Sequence, residues 1–296
     1  EHLEPAGVHS GDSTAVIPPY SVNEEMLKEV EEKSKKLALG LNVKGLLNIQ
    51  FAIKDEELFI LEANPRASRT MPFVAKVTGN QIIKAGTLLM LGYSIDEVRN
   101  KTKYLSSSSN KVAIKKAIFP WSRFPAEDTM LGPEMKATGE VLGVGKEFGT
   151  ALNKAYAAAG VEINNKEKGI FVTLSDSEKP NFIKTVNKYL ELGFKLYSTE
   201  GTGKFLKTNG IDSVIVGKAD DLGQTSLTII EDKLVSLVIN TPTYANELSD
   251  GWKIRRLSHE TGVAVVSSVR EADAFIEAFL NQNLVLDDLE VIQDVS

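Results

Sequence analysis

The sequence predicts a protein of the α/β and α+β classes. A part with a mainly antiparallel sheet is followed by a doubly wound, five-stranded parallel α/β domain. The chain has 296 residues, which is comfortable for two domains. Residues 44–64 have the pattern of a β-hairpin, and from Gly169 onward strand-like and helix-like segments alternate. We place the boundary in the polar segment EINNKEKG, which predicts domains over 1–160 and 161–296.

The hairpin segment is KGLLNIQFAIKDEELFILEAN, in which two apolar runs flank the charged tip Asp55-Glu56-Glu57. A three-residue loop at this tip would place Gln50 opposite Glu62. Side chains two apart on a strand share a face, so Glu62 and Asn64 point the same way. We therefore expect three oxygen-bearing side chains on one sheet surface. A register shift of one residue would separate them.

The other elements follow from apolar periodicity, caps and breakers. In the first part we predict helices over 22–40, 80–91 and 94–100, a loop at 106–110, a strand over 111–121 broken by Pro120, a Gly- and Pro-rich stretch at 125–146, and a short helix over 147–158. In the second part we predict the strands GIFVTLSD, FKLYST, DSVIVGK, LVSLVINT and VAVVSS, and the helices EKPNFIKTVNKYLELG, GKFLKTNG, WKIRRLSHETG and READAFIEAFLNQ.

Composition excludes several function classes. A formal net charge of -6 argues against a nucleic-acid binder held by phosphate contacts. The absence of cysteine excludes disulfides, thiolate zinc sites and cysteine nucleophiles, and a reducing cytoplasm fits it. No apolar run approaches the roughly 20 residues that span a bilayer, so we expect no membrane partner. The opening EHLEPAGVHSGDST has no features of a signal peptide, and we expect a piece of a longer protein.

The stretch LFILEANPRASRT at 58–70 combines oxygen donors with two arginines. Gln50, Glu62 and Asn64 are hard oxygen donors, which suit Mg²⁺ or Mn²⁺ far better than Zn²⁺. Arg66 and Arg69 follow closely and could clamp a phosphate or carboxylate. Together these residues indicate a phosphoryl-transfer site. The alternative is a strand end with solvated polar residues.

Two Gly-rich segments are candidate anion sites. EHLEPAGVHSGDS could approach a nucleotide closely through Gly7, His9 and Ser10, or it could be an ordinary loop. STEGTGK at 198–204 opens a helix and could cradle a phosphate, although plain turn and cap chemistry remains an alternative. Further candidate ligands at the carboxyl ends of strands or the starts of the helices that follow, where doubly wound sheets bind ligands, are Lys179, Lys218, Asn240 and Thr241.

Four segments together resemble a known family: EHLEPAGVHSGDS, LNIQFAIK, LEANPRASRTMPFVAKVTG and LGPEMKATGEVLGVG. Their order and spacing resemble the large subunit of carbamoyl phosphate synthetase, in its second, carbamoyl-phosphate-forming half. This resemblance covers essentially the whole chain. It implies the back part of an ATP-grasp unit, followed by a regulatory domain similar to methylglyoxal synthase. The lobe that covers the phosphates is expected before Glu1, so the chain alone is expected to be inactive.

The resemblance also implies roles for particular residues. The implied metal ligands are Gln50, Glu62 and Asn64, for Mg²⁺ or Mn²⁺, with K⁺ as a further candidate. The implied ATP contacts are Gly7, Val8, His9, Ser10, Gln50 and Glu62. Arg66 and Arg69 are implied in holding carbamate and phosphate. The implied partners are the N-terminal remainder of the large subunit and a glutaminase small subunit, with a homo-oligomer as a further candidate.

For the second domain, the resemblance implies an effector site for a nucleotide monophosphate such as UMP or IMP. The matching positions are Lys179, Thr199, Thr202, Lys218 and Asn240, while Thr241 and Pro242 depart partly from the family pattern. Methylglyoxal synthase activity is not expected, because NTPTYANE replaces the Gly-Gly-Asp stretch that carries its base. Some family members bind ornithine through acidic side chains. Glu4 and Asp12 match two of these, but Lys116 reverses the charge of a third, so ornithine binding is not expected.

Two hypotheses of different classes remain. The chain is either an enzyme fragment with half of a phosphoryl-transfer site, or a binding module that senses nucleotides without catalysis. Binding of ATP or ADP with Mg²⁺ to the chain would discriminate between them.

Overall fold

The computed structural model describes residues 1–103, 111–124, 127–161, 163, 169–241 and 249–281. Contacts divide these residues into two compact units, which we describe separately. Unit 1 contains Glu1 and the described residues from 15 to 115, and unit 2 contains residues 2–14 and the described residues from 116 to 281. The boundary predicted near residue 160 stays a prediction, and most of its segment lies outside the described residues.

Unit 1 contains helices and a two-stranded hairpin, and α1 packs on the second strand of that hairpin. Its elements are β1 (Ala15–Ile17), α1 (Glu24–Gly40), β2 (Asn48–Lys54), β3 (Glu57–Asn64), α2 (Thr70–Thr78), α3 (Ile82–Met90), α4 (Ile95–Lys101) and the first part of β4 (Val112–Ile118). Strand β1 pairs antiparallel with β4, with Val16 opposite Ile114. The predicted helices near 22–40, 80–91 and 94–100 are therefore confirmed.

Local caps explain where two of these helices begin. The Asn23 side chain accepts a hydrogen bond from the backbone N–H of Met26 and starts α1. Ser94 and Glu97 form a reciprocal capping box at the start of α4. Helix α2 was not predicted, although Phe73 and Val77, four residues apart, are its buried residues and Gly79 ends it at a φ of +67°.

Unit 2 contains a five-stranded parallel sheet in the order β10-β9-β6-β7-β8. Its strands are β6 (Gly169–Thr173), β7 (Lys195–Ser198), β8 (Val214–Ile215), β9 (Val235–Asn240) and β10 (Ala264–Val266). Its helices are α6 (Lys179–Glu191), α7 (Glu200–Thr208), α8 (Thr228–Glu231), α9 (Asp250–Thr261) and α10 (Val269–Leu280). The predicted fold class is confirmed.

Unit 2 also holds β5 (Gly139–Gly145) and α5 (Phe148–Ala158), which pack closely on each other. The prediction of α5 is confirmed, but β5 was not predicted, because its Gly-rich sequence is unusual for a strand. The predicted loop at 106–110 lies outside the described residues. No helix in the described part of the chain has the length and apolar character needed to cross a membrane.

Candidate functional site

The tip of the β2–β3 hairpin is tighter than predicted. Lys54 pairs with Glu57 across a two-residue loop, in which Asp55 and Glu56 have φ angles of +52° and +63°. Two consecutive left-handed residues are typical of the tight turn that joins twisted strands. The predicted three-residue loop is therefore wrong, because Glu57 belongs to the strand.

The predicted pairing at the other end of the hairpin is confirmed. Gln50 lies opposite Glu62, and Asn48 lies opposite Asn64. Between the tip and this end, Phe51 pairs with Ile60, so that Leu61 is an extra residue in β3. The shorter loop shifts the register by one residue, and this β-bulge shifts it back, so the predicted pairing holds despite the wrong loop length.

Four oxygen-bearing side chains consequently share one face of the hairpin: Asn48, Gln50, Glu62 and Asn64. Glu62 is exposed, and the three amides are half-buried. The sequence analysis missed Asn48, although it stands two residues before Gln50 and so shares its face. These four side chains form what we call the oxygen face.

The oxygen face has the chemistry of a site for Mg²⁺ or Mn²⁺. It offers one carboxylate and three amide groups, and these ions take the rest of their ligands from phosphate oxygens and water. Within the described ranges, no group of three or more His, Asp or Glu side chains could hold a metal ion. One carboxylate among three amides suits an ion that takes further ligands from a nucleotide better than an ion bound by protein carboxylates alone.

The two arginines follow the oxygen face at the start of α2. Both are exposed, and the Arg66 guanidinium donates a hydrogen bond to the carbonyl of Ala67. Arg69 immediately precedes α2, whose N-terminus has no side-chain cap. Uncapped N–H groups and the helix dipole favour an anion at this position.

The N-terminal loop lies within residues 2–14, which belong to unit 2. Gly7 has a φ of +104°, and the backbone N–H of His9 donates to the carbonyl of Gly132. His9 Nδ1 accepts a hydrogen bond from Gly11 N–H at 3.1 Å. Val8, His9 and Ser10 are half-buried, and Gly7 is exposed.

The candidate effector site is a cavity of about 610 Å³ in unit 2, beside the carboxyl ends of β6, β7 and β8. Two of the predicted effector residues, Thr199 and Lys218, line it together with Gly201 at the start of α7. Thr199 is the residue before this helix, and its side chain caps no N–H group. The helix N-terminus therefore offers free N–H donors to an anion in the cavity.

Lys179 lies close to this helix start. A methyl group placed on Gly201 would be 3.9 Å from Lys179 Nζ. The Nζ atom is 2.5 Å from Asp176 Oδ1, and this contact lowers the pKa of the Asp176 carboxyl. Lys179 is thus held beside Gly201 by an exposed carboxylate that an anionic ligand could replace.

The remaining predicted effector residues have partners within the protein. Thr202 Oγ1 accepts a hydrogen bond from Leu174 N–H, and Thr241 Oγ1 accepts one from Ser175 N–H. Asn240 Oδ1 accepts from Arg255 Nη1 at 2.7 Å. Arg255 in turn forms a bidentate ion pair with Asp128 and is almost fully buried. Pro242 and most of NTPTYANE lie outside the described residues.

Glu4 and Asp12, the two acidic residues that match ornithine-binding positions, accept hydrogen bonds from other groups of the protein. Glu4 accepts hydrogen bonds from the N–H and the hydroxyl of Thr14. Asp12 accepts from the N–H groups of Lys136 and Ala137. Lys116 Nζ lies 3.3 Å from Thr14 Oγ1 and 4.6 Å from the centre of the Tyr156 ring.

Buried charges near Lys116 change the protonation of their neighbours. Burial, and then the Glu4 carboxylate, raise the pKa of Glu271 to about 7 against the opposing effect of Lys116. Burial, and then the positive charges of Lys116, Arg256 and Arg255, lower the pKa of His259 to about 4. His259 is therefore neutral at neutral pH.

Comparisons with known proteins match both parts of the chain to known domains. Residues 2–98 match the ATP-binding domain of the carbamoyl-phosphate synthase L chain, and residues 181–267 match the MGS-like domain. The carbamoyl phosphate synthase large chain, C-terminal section, of Aquifex aeolicus is 41% identical over 94% of this chain and 54% of its own length. That of Methanocaldococcus jannaschii is 40% identical over 94% of this chain and 46% of its own length. The large chain of Archaeoglobus fulgidus is 40% identical over all of this chain and 28% of its own length.

The two matches define a protein that joins an ATP-binding domain to an MGS-like domain. The similarity to the relatives extends along almost the whole chain and identifies its family. The chain belongs to the family of carbamoyl phosphate synthase large chains. It spans about half the length of the two C-terminal sections that it matches.

Proposed function

We propose that this chain acts in an ATP-dependent ligase that makes carbamoyl phosphate from bicarbonate, glutamine-derived ammonia and ATP. The observation that carries the proposal is the oxygen face, followed directly along the chain by Arg66 and Arg69. Hard oxygen donors beside two guanidiniums suit a phosphoryl transfer from a metal-bound nucleotide to a small anionic acceptor. In this proposal, the acceptor is carbamate.

Each group in the site has a role in the proposed reaction. Gln50, Glu62 and Asn64 would hold Mg²⁺ or Mn²⁺, and K⁺ is a further candidate ion. When bound, the ion neutralises negative charge on the phosphate oxygens. Arg66 and Arg69 orient carbamate and stabilise charge on the transferred group through bidentate hydrogen bonds. The N-terminal loop of unit 2 is a further candidate for contact with ATP, through Gly7, Val8, His9 and Ser10.

The proposed enzyme needs further partners. The relatives named above are longer than this chain. We therefore assign the earlier steps to an N-terminal remainder of the large subunit and to a glutaminase small subunit. We assign the reaction to pyrimidine and arginine biosynthesis in the cytoplasm, with homo-oligomers as a further candidate assembly.

The cavity of unit 2 is proposed as the allosteric site, and its ligand is a nucleotide monophosphate such as UMP or IMP. The uncapped start of α7, Thr199, Lys179 and Lys218 supply donors and positive charge for a phosphate. Thr202, Asn240 and Thr241 support the walls of the site through the hydrogen bonds described above. This proposal rests on the grouping of these donors at one edge of the sheet.

The metal assignment is tested by Glu62→Ala in the intact large chain assembled with its glutaminase. This change removes the only carboxylate of the oxygen face, so carbamoyl phosphate formation should be lost. Binding of Mn²⁺ with nucleotide, followed by electron paramagnetic resonance, should weaken as well. Glu57→Ala is the matched control, because Glu57 is an exposed carboxylate on the same strand. Near-normal turnover of the Glu62→Ala enzyme would show that the assignment is wrong.

The alternative function is a regulatory module that binds nucleotides without catalysis. The match of residues 2–98 to an ATP-binding domain does not favour it. Calorimetry with ATP or ADP and Mg²⁺ on this chain, compared with UMP and IMP, discriminates between the two functions. Binding of UMP or IMP with no binding of ATP or ADP would support the regulatory module.

A further inference from the structure

The cavity in unit 2 is lined by two kinds of groups. Thr199, Gly201 and Lys218 supply the polar donors already described. Val216 and Ile254, which are both buried, supply apolar walls and also belong to the core beneath the cavity. Such a division suits a ligand that has an anionic group and a less polar ring.

Ser226 lines the same cavity but was not among the predicted effector residues. It is 1% exposed, and its Oγ atom has no hydrogen-bond partner among the described residues. Its backbone N–H donates to the carbonyl of Gly217 at 3.0 Å, which holds Ser226 next to the segment of Val216 and Lys218. A buried hydroxyl without a partner is unfavourable, and such groups in folded proteins call for an explanation.

Local capping does not explain this hydroxyl. A serine just before a helix usually serves as a cap, and Ser226 precedes α8 by two residues. Here Thr225 takes that role, since its Oγ1 accepts from Thr228 N–H and its N–H donates to Thr228 Oγ1. The Ser226 hydroxyl is therefore left for a group that enters the cavity.

The carboxylates of Glu200, Asp221 and Asp250 line the cavity, and none of them hydrogen-bonds to Ser226 Oγ. Glu200 pairs with Lys204 at 2.7 Å, and Asp221 accepts a hydrogen bond from Lys218 N–H at 2.7 Å. Each of these two carboxylates already has a partner on its own segment. A polar group of a ligand in the cavity could form a hydrogen bond with Ser226 Oγ.

We propose that Ser226 is a specificity-determining residue, whose hydroxyl hydrogen-bonds to the polar edge of the effector's heterocyclic base. The base packs against Val216 and Ile254, and the phosphate occupies the start of α7. This inference rests on the proposed function of the cavity as a nucleotide monophosphate site. The inference adds that the site recognises the base of the nucleotide as well as its sugar phosphate.

The test is calorimetry on the full 296-residue chain at fixed salt. The ligands are UMP, IMP, ribose 5-phosphate and inorganic phosphate, and the proteins are wild type, Ser226→Ala and Ser236→Ala. Ser236 is a buried serine on β9 that lies outside the cavity lining, and it serves as the matched control. Ser226→Ala should weaken the binding of the nucleotide that the wild type prefers by about two- to tenfold. It should leave the binding of ribose 5-phosphate and phosphate unchanged.

Thermal unfolding separates this role from a structural one. Removing an unpartnered buried hydroxyl should leave the melting temperature unchanged or slightly higher, while the loss of an internal hydrogen bond would lower it. Unchanged nucleotide affinity in Ser226→Ala, or an equal loss for ribose 5-phosphate, overturns the inference about Ser226 alone. If the wild type binds none of the four ligands, both this inference and the proposed effector site are wrong.

Discussion

Gln50 lies directly opposite Glu62 in the β2–β3 hairpin, because Leu61 is bulged out of the ladder. In a regular ladder that started from the same two-residue loop, Gln50 would face Leu61, and Glu62 would point to the opposite face. One extra residue therefore determines whether the carboxylate and the amides share a surface. The oxygen face depends on the backbone of the hairpin as much as on the identity of its side chains.

The tip of this hairpin contains strain that glycine should relieve. Asp55 and Glu56 both have positive φ angles, which cost non-glycine residues roughly 1 kcal/mol each. We expect Glu56→Gly to raise the free energy of unfolding by up to about 1 kcal/mol in urea titrations. The control Glu57→Gly should lower it, because Glu57 is in β3. A less stable Glu56→Gly protein would contradict the turn described here.

The buried ion pair of Arg255 and Asp128 should matter greatly for stability. Asp128→Ala would leave a guanidinium whose side chain is 4% exposed without its charged partner. We expect a loss of about 3–5 kcal/mol in the free energy of unfolding. The control Asp220→Ala breaks an ion pair with Lys253 in which Asp220 is 80% exposed, and it should cost under about 1 kcal/mol. Equal losses in the two variants would show that the buried pair has no special role.

The close packing of β5 on α5 requires glycine at one position. A Cβ atom on Gly143 would lie 2.1 Å from the carbonyl oxygen of Ala151, whereas one on Gly139 would meet nothing closer than 3.8 Å. Gly143→Ala should therefore destabilise the protein by several kcal/mol, or prevent its folding, because α5 must move. Gly139→Ala in the same strand should be nearly neutral. Circular dichroism melts of the two variants provide the comparison.

His259 should make the protein less stable in acid. Its folded pKa of about 4 lies below its ordinary value of 6.5, so between these pH values the unfolded chain binds a proton that the folded protein does not. This contribution to stability is present above pH 6.5 and is lost as the pH falls towards 4. Its total size is about 3 kcal/mol.

The measurement for His259 is urea unfolding at pH 7 and pH 4.5 of wild type and His259→Gln. The variant should lose less stability on acidification. The opposite contribution of Glu271, whose raised pKa makes stability fall as the pH rises from 4.5 to 7, is present in both proteins and cancels in their difference. Identical losses in the two proteins would exclude a neutral, buried His259.

Lys179→Ala should weaken nucleotide monophosphate binding by roughly ten- to a hundredfold, because it removes one charge-assisted contact to the phosphate. Lys188→Ala is the matched control on the same helix, where Lys188 instead pairs with Asp273. Calorimetry at fixed salt measures both. In the intact enzyme, Lys179→Ala should also reduce nucleotide control without changing the unregulated rate. If the Lys179→Ala protein binds the nucleotide with wild-type affinity, Lys179 is not part of the site.

The sequence by itself determined the features that depend on local periodicity. The alternation of strands and helices after Gly169 is visible in apolar patterns and end signals, and the five strands have the predicted order along the chain. The apolar runs around Asp55 and Glu56 likewise determined the hairpin, whereas the pairing of Gln50 with Glu62 depends on the bulge at Leu61, which these runs do not reveal. These patterns are informative because a helix with one buried face has a period of about 3.6 residues, whereas β6 and β9 are buried on both faces and are near-continuous apolar runs.

Only the tertiary structure decided the features that depend on distant partners. Strand β1 has three residues and exists because it pairs with β4, about a hundred positions later. The Arg255 guanidinium donates a hydrogen bond to the side-chain amide oxygen of Asn240, and Ser226 lines the cavity from a segment that no periodicity reveals. Such contacts join residues far apart in the chain, and their energies depend on burial that appears only when the sheet and its helices have packed.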